Sequence, residues 1–213
     1  MSDSFLLATQ IPMTRADFQR WLDSPIPGPG SIADPDAMFD GWFWDGKRAA
    51  DVWQAPGTTP REFFKGCVAG AAAGSPVSCV LTHEDGALRV YLCDLMGYLE
   101  SFVHTALLAF AAAGALASDD ARHTALFWAE TGGNLPGPEW PGWLAVLTVG
   151  RGGARFVAEA DLTAVIAGLR PAEERFFALV ERMAEGEESW DGAGEYRVGA
   201  PLEPRFIDPA VLA

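Results

Sequence analysis

Residues 77–95 read VSCVLTHEDGALRVYLCDL. Val77, Cys79, Leu81 and His83 alternate with the residues between them, the period-two spacing of a strand with one buried face. Asp85-Gly86 then supplies the left-handed backbone that a tight hairpin turn requires, and ALRVYLCDL returns as the second strand. A sheet that grows by hairpins is antiparallel, because parallel pairing needs a crossover of a dozen or more residues.

A second hairpin is expected further on. WLAVLTV, from Trp143 to Val149, turns at Gly150-Arg151-Gly152-Gly153 into ARFVAEA. Residues 4–11, SFLLATQI, read as one more short strand. The helices are marked by their starts. Thr14 has Asp17 three residues on, with Met13 and Phe18 at the staple positions, so it caps a helix through Leu22. Thr59-Pro60-Arg61-Glu62 is a capping box with proline at the first helical position, opening a helix to about Ala73. Gly66, Gly70 and Gly74 lie four apart on that helix, a spacing expected to permit close packing against a neighbour. Residues 97–116 are almost uniformly apolar and should form a central buried helix. Asp161 and Pro171 start two more helices, the second with Glu173 and Glu174 at its positive end.

Some stretches stay open or irregular. Residues 119–131, DDARHTALFWAET, fit a helix capped by Ser118 or a strand over 124–129 equally well. SPIPGPGSIADPD at 24–36 and GGNLPGPEWPG at 132–142 are rich in proline and glycine and read as surface loops. The chain from about 186 onward reads as an irregular tail. No fixed-period repeat and no dividing linker is visible. The expected architecture is therefore a single α+β domain over 1–213, with a mostly antiparallel sheet built from hairpins. Helices pack against it, including the central apolar helix near 97–116.

The net charge of −14 narrows the partners. So negative a surface repels phosphate backbones and anionic membranes, which disfavours nucleic acid and membrane binding. It attracts a basic protein partner. The N-terminus MSDSFLLATQ lacks the positive flank and the long apolar run of a signal peptide. Cys67, Cys79 and Cys93 are odd in number and show no CxxC spacing, so a disulfide framework is not expected. Both features point to the cytoplasm. The apolar run Phe102 to Ala117 is too short and too alanine-rich to span a bilayer.

Few residues carry a catalytic pattern. His83 with Glu84 and Asp85 reads as a polar hairpin tip, and no metal site is assigned. Glu100 and His104 share a helix face and would serve as base and acid if they opened into a cleft. The more ordinary reading of His104 is a satisfied core histidine, so the pair stands only as an alternative catalytic site. His123, beside Asp119 and Asp120, is expected to be exposed. The cysteines read as small buried hydrophobes. GRGGAR at 150–155 precedes a strand where a phosphate loop would precede a helix, so it is a hairpin turn and no cofactor is expected.

The tryptophans remain. FDGWFWDGKR at 39–48 places Trp42 and Trp44 between two Asp-Gly pairs, with Trp53 close behind, and WDG recurs at 190–192. Strand alternation would put Trp42 and Trp44 on one side and Phe43 on the other. Large aromatics set among carboxylates suit contact anchors. The expected partner-binding residues are Trp42, Trp44, Asp40, Asp45, Trp140, Glu188, Trp190 and Asp191. In size, acidity and lack of motifs the chain is comparable to bacterial immunity proteins, which neutralise toxins; that is an analogy of class, carried by no shared motif. The expected function is thus an acidic, non-catalytic binding protein for a basic partner. The alternatives are a small-molecule enzyme using Glu100 and His104, and a structural or adaptor subunit.

Overall fold

A computed structural model describes residues 5–39, 48–72, 77–94, 100–129, 143–157 and 207–213, with positions 167, 170 and 174 besides. Strands β1 (Phe5–Pro12), β2 (Ile32–Ala33), β3 (Val77–Glu84), β4 (Ala87–Asp94), β5 (His123–Ala129), β6 (Trp143–Gly150) and β7 (Gly153–Phe156) form one sheet. Its order is β2-β7-β6-β5-β1-β4-β3. Every neighbouring pair is antiparallel except β2 with β7. Helices α1 (Arg15–Asp23), α2 (Ala49–Val52), α3 (Pro60–Ala72) and α4 (Glu100–Gly114) complete the described framework. The chain is an α+β protein with a mostly antiparallel sheet, as the hairpin pattern implies. Among the described residues no helix is long and apolar enough to cross a membrane.

The β3–β4 hairpin closes through Asp85 (φ 51°) and Gly86 (φ 73°), both left-handed as a two-residue turn of this hand demands. β1 lies between the two hairpin systems. Leu7 sits opposite Leu92 on β4 and Phe127 on β5, and Thr9 sits opposite Val90 and Ala125. Leu7, Ala8 and Thr9, which alternate between the two faces of β1, are all fully buried. The Thr9 hydroxyl is satisfied by donating to the Thr124 carbonyl at 2.9 Å. Residues 124–129, ambiguous in sequence, are strand because β5 pairs on both sides, with β1 and with β6. A helix there would strip two strands of their backbone partners.

Helix α4 lies across β6, β1, β5 and β7. Ala106, Leu107, Phe110 and Ala113 are fully buried beneath it. At its end a Cβ on Gly114 would stand 2.6 Å from the Val149 Cβ and 2.7 Å from the Gly150 nitrogen. Only glycine allows that approach. The glycine spacing on α3 does not have this role at Gly66, which is exposed and has nothing within 4 Å of a Cβ position. Close packing occurs where a helix end meets the sheet, on a glycine that no repeat announces.

Both predicted helix starts form. Thr14 Oγ1 accepts the Asp17 N–H at 3.1 Å, and the staple residues Met13 and Phe18 are buried. Thr59 and Glu62 cap each other, the Glu62 N–H donating to the Thr59 hydroxyl at 3.2 Å and the Thr59 N–H to the Glu62 carboxylate at 3.1 Å. Trp21 joins three helices: its Nε1 donates to the Ala109 carbonyl at 2.9 Å, and its ring lies 5.9 Å from that of Phe64. The stretch 24–36 differs from a plain loop. Its prolines open two 3-10 turns, Pro29–Ser31 and Pro35–Phe39, and between them Ile32 is buried as part of an edge strand.

The C-terminus is also more ordered than its composition indicates. Ile207 bridges to Leu81 on β3, and the Asp208 N–H donates to the Leu81 carbonyl at 2.7 Å, covering the outer edge of that strand. Asp208 takes two hydrogen bonds from the Arg15 guanidinium, one of 2.7 Å from Nη2, and caps the turn Pro209–Leu212 through the Ala210 N–H at 2.9 Å. Lys65 Nζ reaches the Ala213 carbonyl at 2.8 Å. The expected loop at 132–142 and the tail between 186 and 206 lie outside the described residues, as do the helices from Asp161 and Pro171 except at positions 167, 170 and 174, which are helical.

This clamp sets an acid dependence. Burial alone would raise the Asp208 carboxyl, but the Arg15 hydrogen bonds, with the Ala210 and His83 backbone N–H groups, hold it below the usual carboxylate range. A carboxyl depressed in the folded state adds stability above its unfolded pKa, about 3.9, and loses it as pH falls through the folded value. Asp208→Asn should therefore cost about 1–2 kcal/mol at neutral pH, the half-exposed Arg15 moderating the loss. It should also flatten the fall in stability between about pH 5 and pH 2. Urea unfolding at a series of pH values reads both effects.

Candidate functional site

The acidic aromatic segment 40–47 lies outside the described residues, but the structure on either side of it is built. On its N-terminal side Asp34 adopts a left-handed backbone (φ 52°), which a short polar side chain tolerates, and Pro35 then opens the 3-10 turn Pro35–Phe39. On its C-terminal side Arg48 precedes α2, whose first N–H groups have no side-chain cap from Arg48 itself. The cap comes from across the gap: the Asp36 carboxylate accepts the Ala49 N–H at 2.6 Å. Arg48 approaches the same carboxylate at 4.0 Å. Met38 and Ala49 are both buried, so the two flanks are held together and sunk into the core.

Trp53 ends this base. It is buried, and its ring stacks on the His104 imidazole of α4 with centroids 4.4 Å apart and planes at 29°. Phe156 of β7 meets it edge-on at 6.2 Å. Among the described residues the buried Trp53 Nε1–H has no hydrogen-bond partner. Trp53 thus belongs to the core, not to a displayed aromatic surface. The stack also answers why a histidine sits in so apolar a helix: its ring is used as a flat packing surface against tryptophan.

The other titratable candidates are engaged in the framework. His83 Nε2 lies 2.9 Å from the Met13 carbonyl, which can only accept, so Nε2 carries the proton. The Phe18 ring lies 5.2 Å away. Glu84 and Asp85 are turned to Arg89, at 3.5 Å and 3.0 Å, instead of joining His83. His123 is half-buried, not exposed, because its Nε2 is held at 2.8 Å by Asp119. The His123 hydrogen bond, with the Ala121 N–H as a further donor, keeps the Asp119 carboxyl below its ordinary range. Cys67 and Cys79 are free and buried, and burial pushes the Cys67 thiol up to about 12. Among the described residues no group of three or more His, Cys, Asp or Glu is placed to hold a metal ion.

Glu100 is the first residue of α4 and His104 lies one turn on, as the shared-face reading requires. His104 is covered by Trp53, and the Glu100 side chain lies outside the described residues. Trp42, Trp44, Asp40, Asp45, Trp140, Glu188, Trp190 and Asp191 lie outside them as well. Sequence reasoning missed Asp36 and Trp53 as the base of the 40–47 segment. Asp36 carried a signal, since an aspartate just after Asp-Pro suits a capping role, but its acceptance of a donor thirteen positions on is not local. Comparison with protein-family models, with curated proteins and with solved structures finds no match.

Removing the Asp36 cap should loosen this base while sparing the sheet. Asp36→Ala is expected to cost about 1 kcal/mol and to speed hydrogen exchange at the Ala49 amide about fivefold or more. Amides of β1 should keep their protection. Backbone exchange by NMR separates the two responses.

Proposed function

We propose that this chain is an acidic, non-catalytic binding protein that engages a basic protein partner and, by analogy of class with immunity proteins, neutralises it. The observation that carries this reading is where the surplus charge falls. On the described framework, carboxylates are matched by arginines: Asp17 to Arg20, Asp23 to Arg61, Asp36 to Arg48, Glu84 and Asp85 to Arg89, and Asp120 to Arg151. About half of the acidic residues but only about a third of the basic ones lie outside that framework. Of the net −14, −10 falls outside that framework (15 acidic against 5 basic residues), most of it, −6, between 158 and 206 around Glu188 and Asp191, and −1 over 40–47 with Asp40 and Asp45. These segments also carry Trp42, Trp44 and Trp190 as apolar anchors, and Trp140 lies in a third such segment, beside Glu139.

The anchored flanks of 40–47 add support, because a contact segment on a rigid base loses less entropy on binding. Free, buried cysteines fit a reducing compartment, and we place the protein in the cytoplasm. Catalysis by Glu100 and His104 has less support, since the imidazole would first have to be uncovered from Trp53. In the adaptor alternative the glycine-faced helix would be the contact, and at Gly66 that face is exposed.

The test is binding to the product of the adjacent gene at two salt concentrations. Affinity should fall at least about tenfold between roughly 0.05 M and 0.5 M salt, because attraction across a charged surface is screened over that range. Trp44→Ala and Asp45→Lys should each weaken the complex with the fold intact. A complex indifferent to salt and to both substitutions contradicts the reading.

A further inference from the structure

Arg122, Arg151 and Arg155 meet at one corner of the sheet. Arg155 pairs with Thr148 and Thr148 with Thr124, and Arg122 lies two residues before Thr124, so two strand spacings and two residue rises set Arg155 roughly 12 Å from Arg122. Ala154, Val149 and Ala125 are buried on the α4 side of the sheet, so alternation puts Arg155, Thr148 and Thr124 on the opposite face. Arg122 extends toward the β6–β7 turn, its Nη2 lying 4.0 Å from where a Cβ on Gly152 would be. Arg151, within that turn, donates from Nε to the Ala117 carbonyl at 2.7 Å and lies 3.4 Å from Asp120.

Arg15, Arg20, Arg48, Arg61, Arg89 and Arg151 each lie within ion-pair distance of a carboxylate. Arg122 and Arg155 are exposed and make no ion pair among the described residues. In a chain with 29 acidic and 15 basic residues this is the reverse of what local charge balance produces. Two exposed arginines thus stand on one corner near a third, where like charges repel.

We propose that this corner docks a carboxylate-rich peptide segment of a partner protein. A guanidinium fork takes one carboxylate in paired hydrogen bonds. Forks rooted roughly 12 Å apart on the sheet match two carboxylates three or four residues apart on an extended chain, at about 3.3 Å per residue. A single phosphate would need the forks to converge on one centre. A nucleic-acid backbone is opposed by the net charge of −14. The corner also adjoins the base of the 40–47 segment, since Ala33 on β2 pairs with Arg155 and β7 packs on the turn Pro35–Phe39. One partner can touch both, an acidic segment at the arginines fixing its orientation. The inference stands whether or not that partner is basic as a whole.

The experiment is an NMR titration of the full chain, following the arginine Nε–Hε resonances, with hexaglutamate as the probe. Hexaglutamine and inorganic phosphate serve as controls. Hexaglutamate should shift the Arg122 and Arg155 signals, and the R122Q/R155Q double variant should weaken its binding at least about tenfold with unchanged thermal unfolding. Three results would overturn the proposal: no shift with hexaglutamate, equal shifts with phosphate at equal charge, or unaltered binding by a folded R122Q/R155Q. None of these touches the salt-dependent binding of a basic partner, which stands or falls separately.

Discussion

The insertion of β1 between two hairpin systems is the constraint on which the rest of the structure depends. β3–β4 closes on itself, and β5–β6–β7 is built from neighbours in sequence order, but only β1 joins them into one sheet. Its lower end is tied twice more, by the Met13 N–H to the Gly86 carbonyl at 2.9 Å and by the Ser118 N–H to the Pro12 carbonyl at 2.8 Å. Those bonds bring the β3–β4 turn and the chain leaving α4 to the same place. Helix α4 lies on β1 together with β5, β6 and β7, so the surface beneath it is complete only once β1 is seated. Such pairing brings together residues far apart in sequence, so it forms late and at a large entropic cost.

The two flanks of the 40–47 segment and Arg155 lie toward one edge of that sheet. β2 and β7 carry the turn Pro35–Phe39, the Asp36 cap and the Arg155 corner, while the opposite edge at β3 is closed by Ile207 and the Arg15–Asp208 clamp. The molecule therefore protects one edge with its own C-terminus and builds its candidate surface on the other. Charge follows the same division. Several framework carboxylates are matched to arginines, most of the net negative charge lies outside the described residues, and Arg122 and Arg155 make no ion pair among the described residues. A partner that reads both signs is discriminated more sharply than one that reads net charge alone.

What was legible in the sequence was local. Thr14 with Asp17, Thr59 with Glu62, and Asp85-Gly86 each specify their element within four residues, and each forms as read. The α+β class followed from hairpins alternating with capped helices. What was not legible needed a partner from elsewhere in the chain. TALFWA is strand because β1 and β6 flank it, a fact absent from its own periodicity. His104 reads as a possible base until Trp53, fifty positions earlier, is seen stacked on it. Gly114 is required because Val149 lies against it, whereas the regular spacing that includes Gly66 meets open space there. Arg122 and Arg155 look unremarkable until the strand register sets them at one corner. The candidate site was therefore less legible than the fold, since every one of its supports is a long-range contact.

The central claim, that β1 locks the two halves together, is tested most directly by native-state hydrogen exchange along Phe5–Pro12. The amides of Leu7 and Thr9 should exchange only through global unfolding, with a denaturant dependence equal to that of the whole molecule. Amides of β6 and β7 should open at lower free energy. If β1 instead exchanged by a sub-global opening while both hairpin systems stayed protected, the sheet would not depend on it, and the account would be wrong.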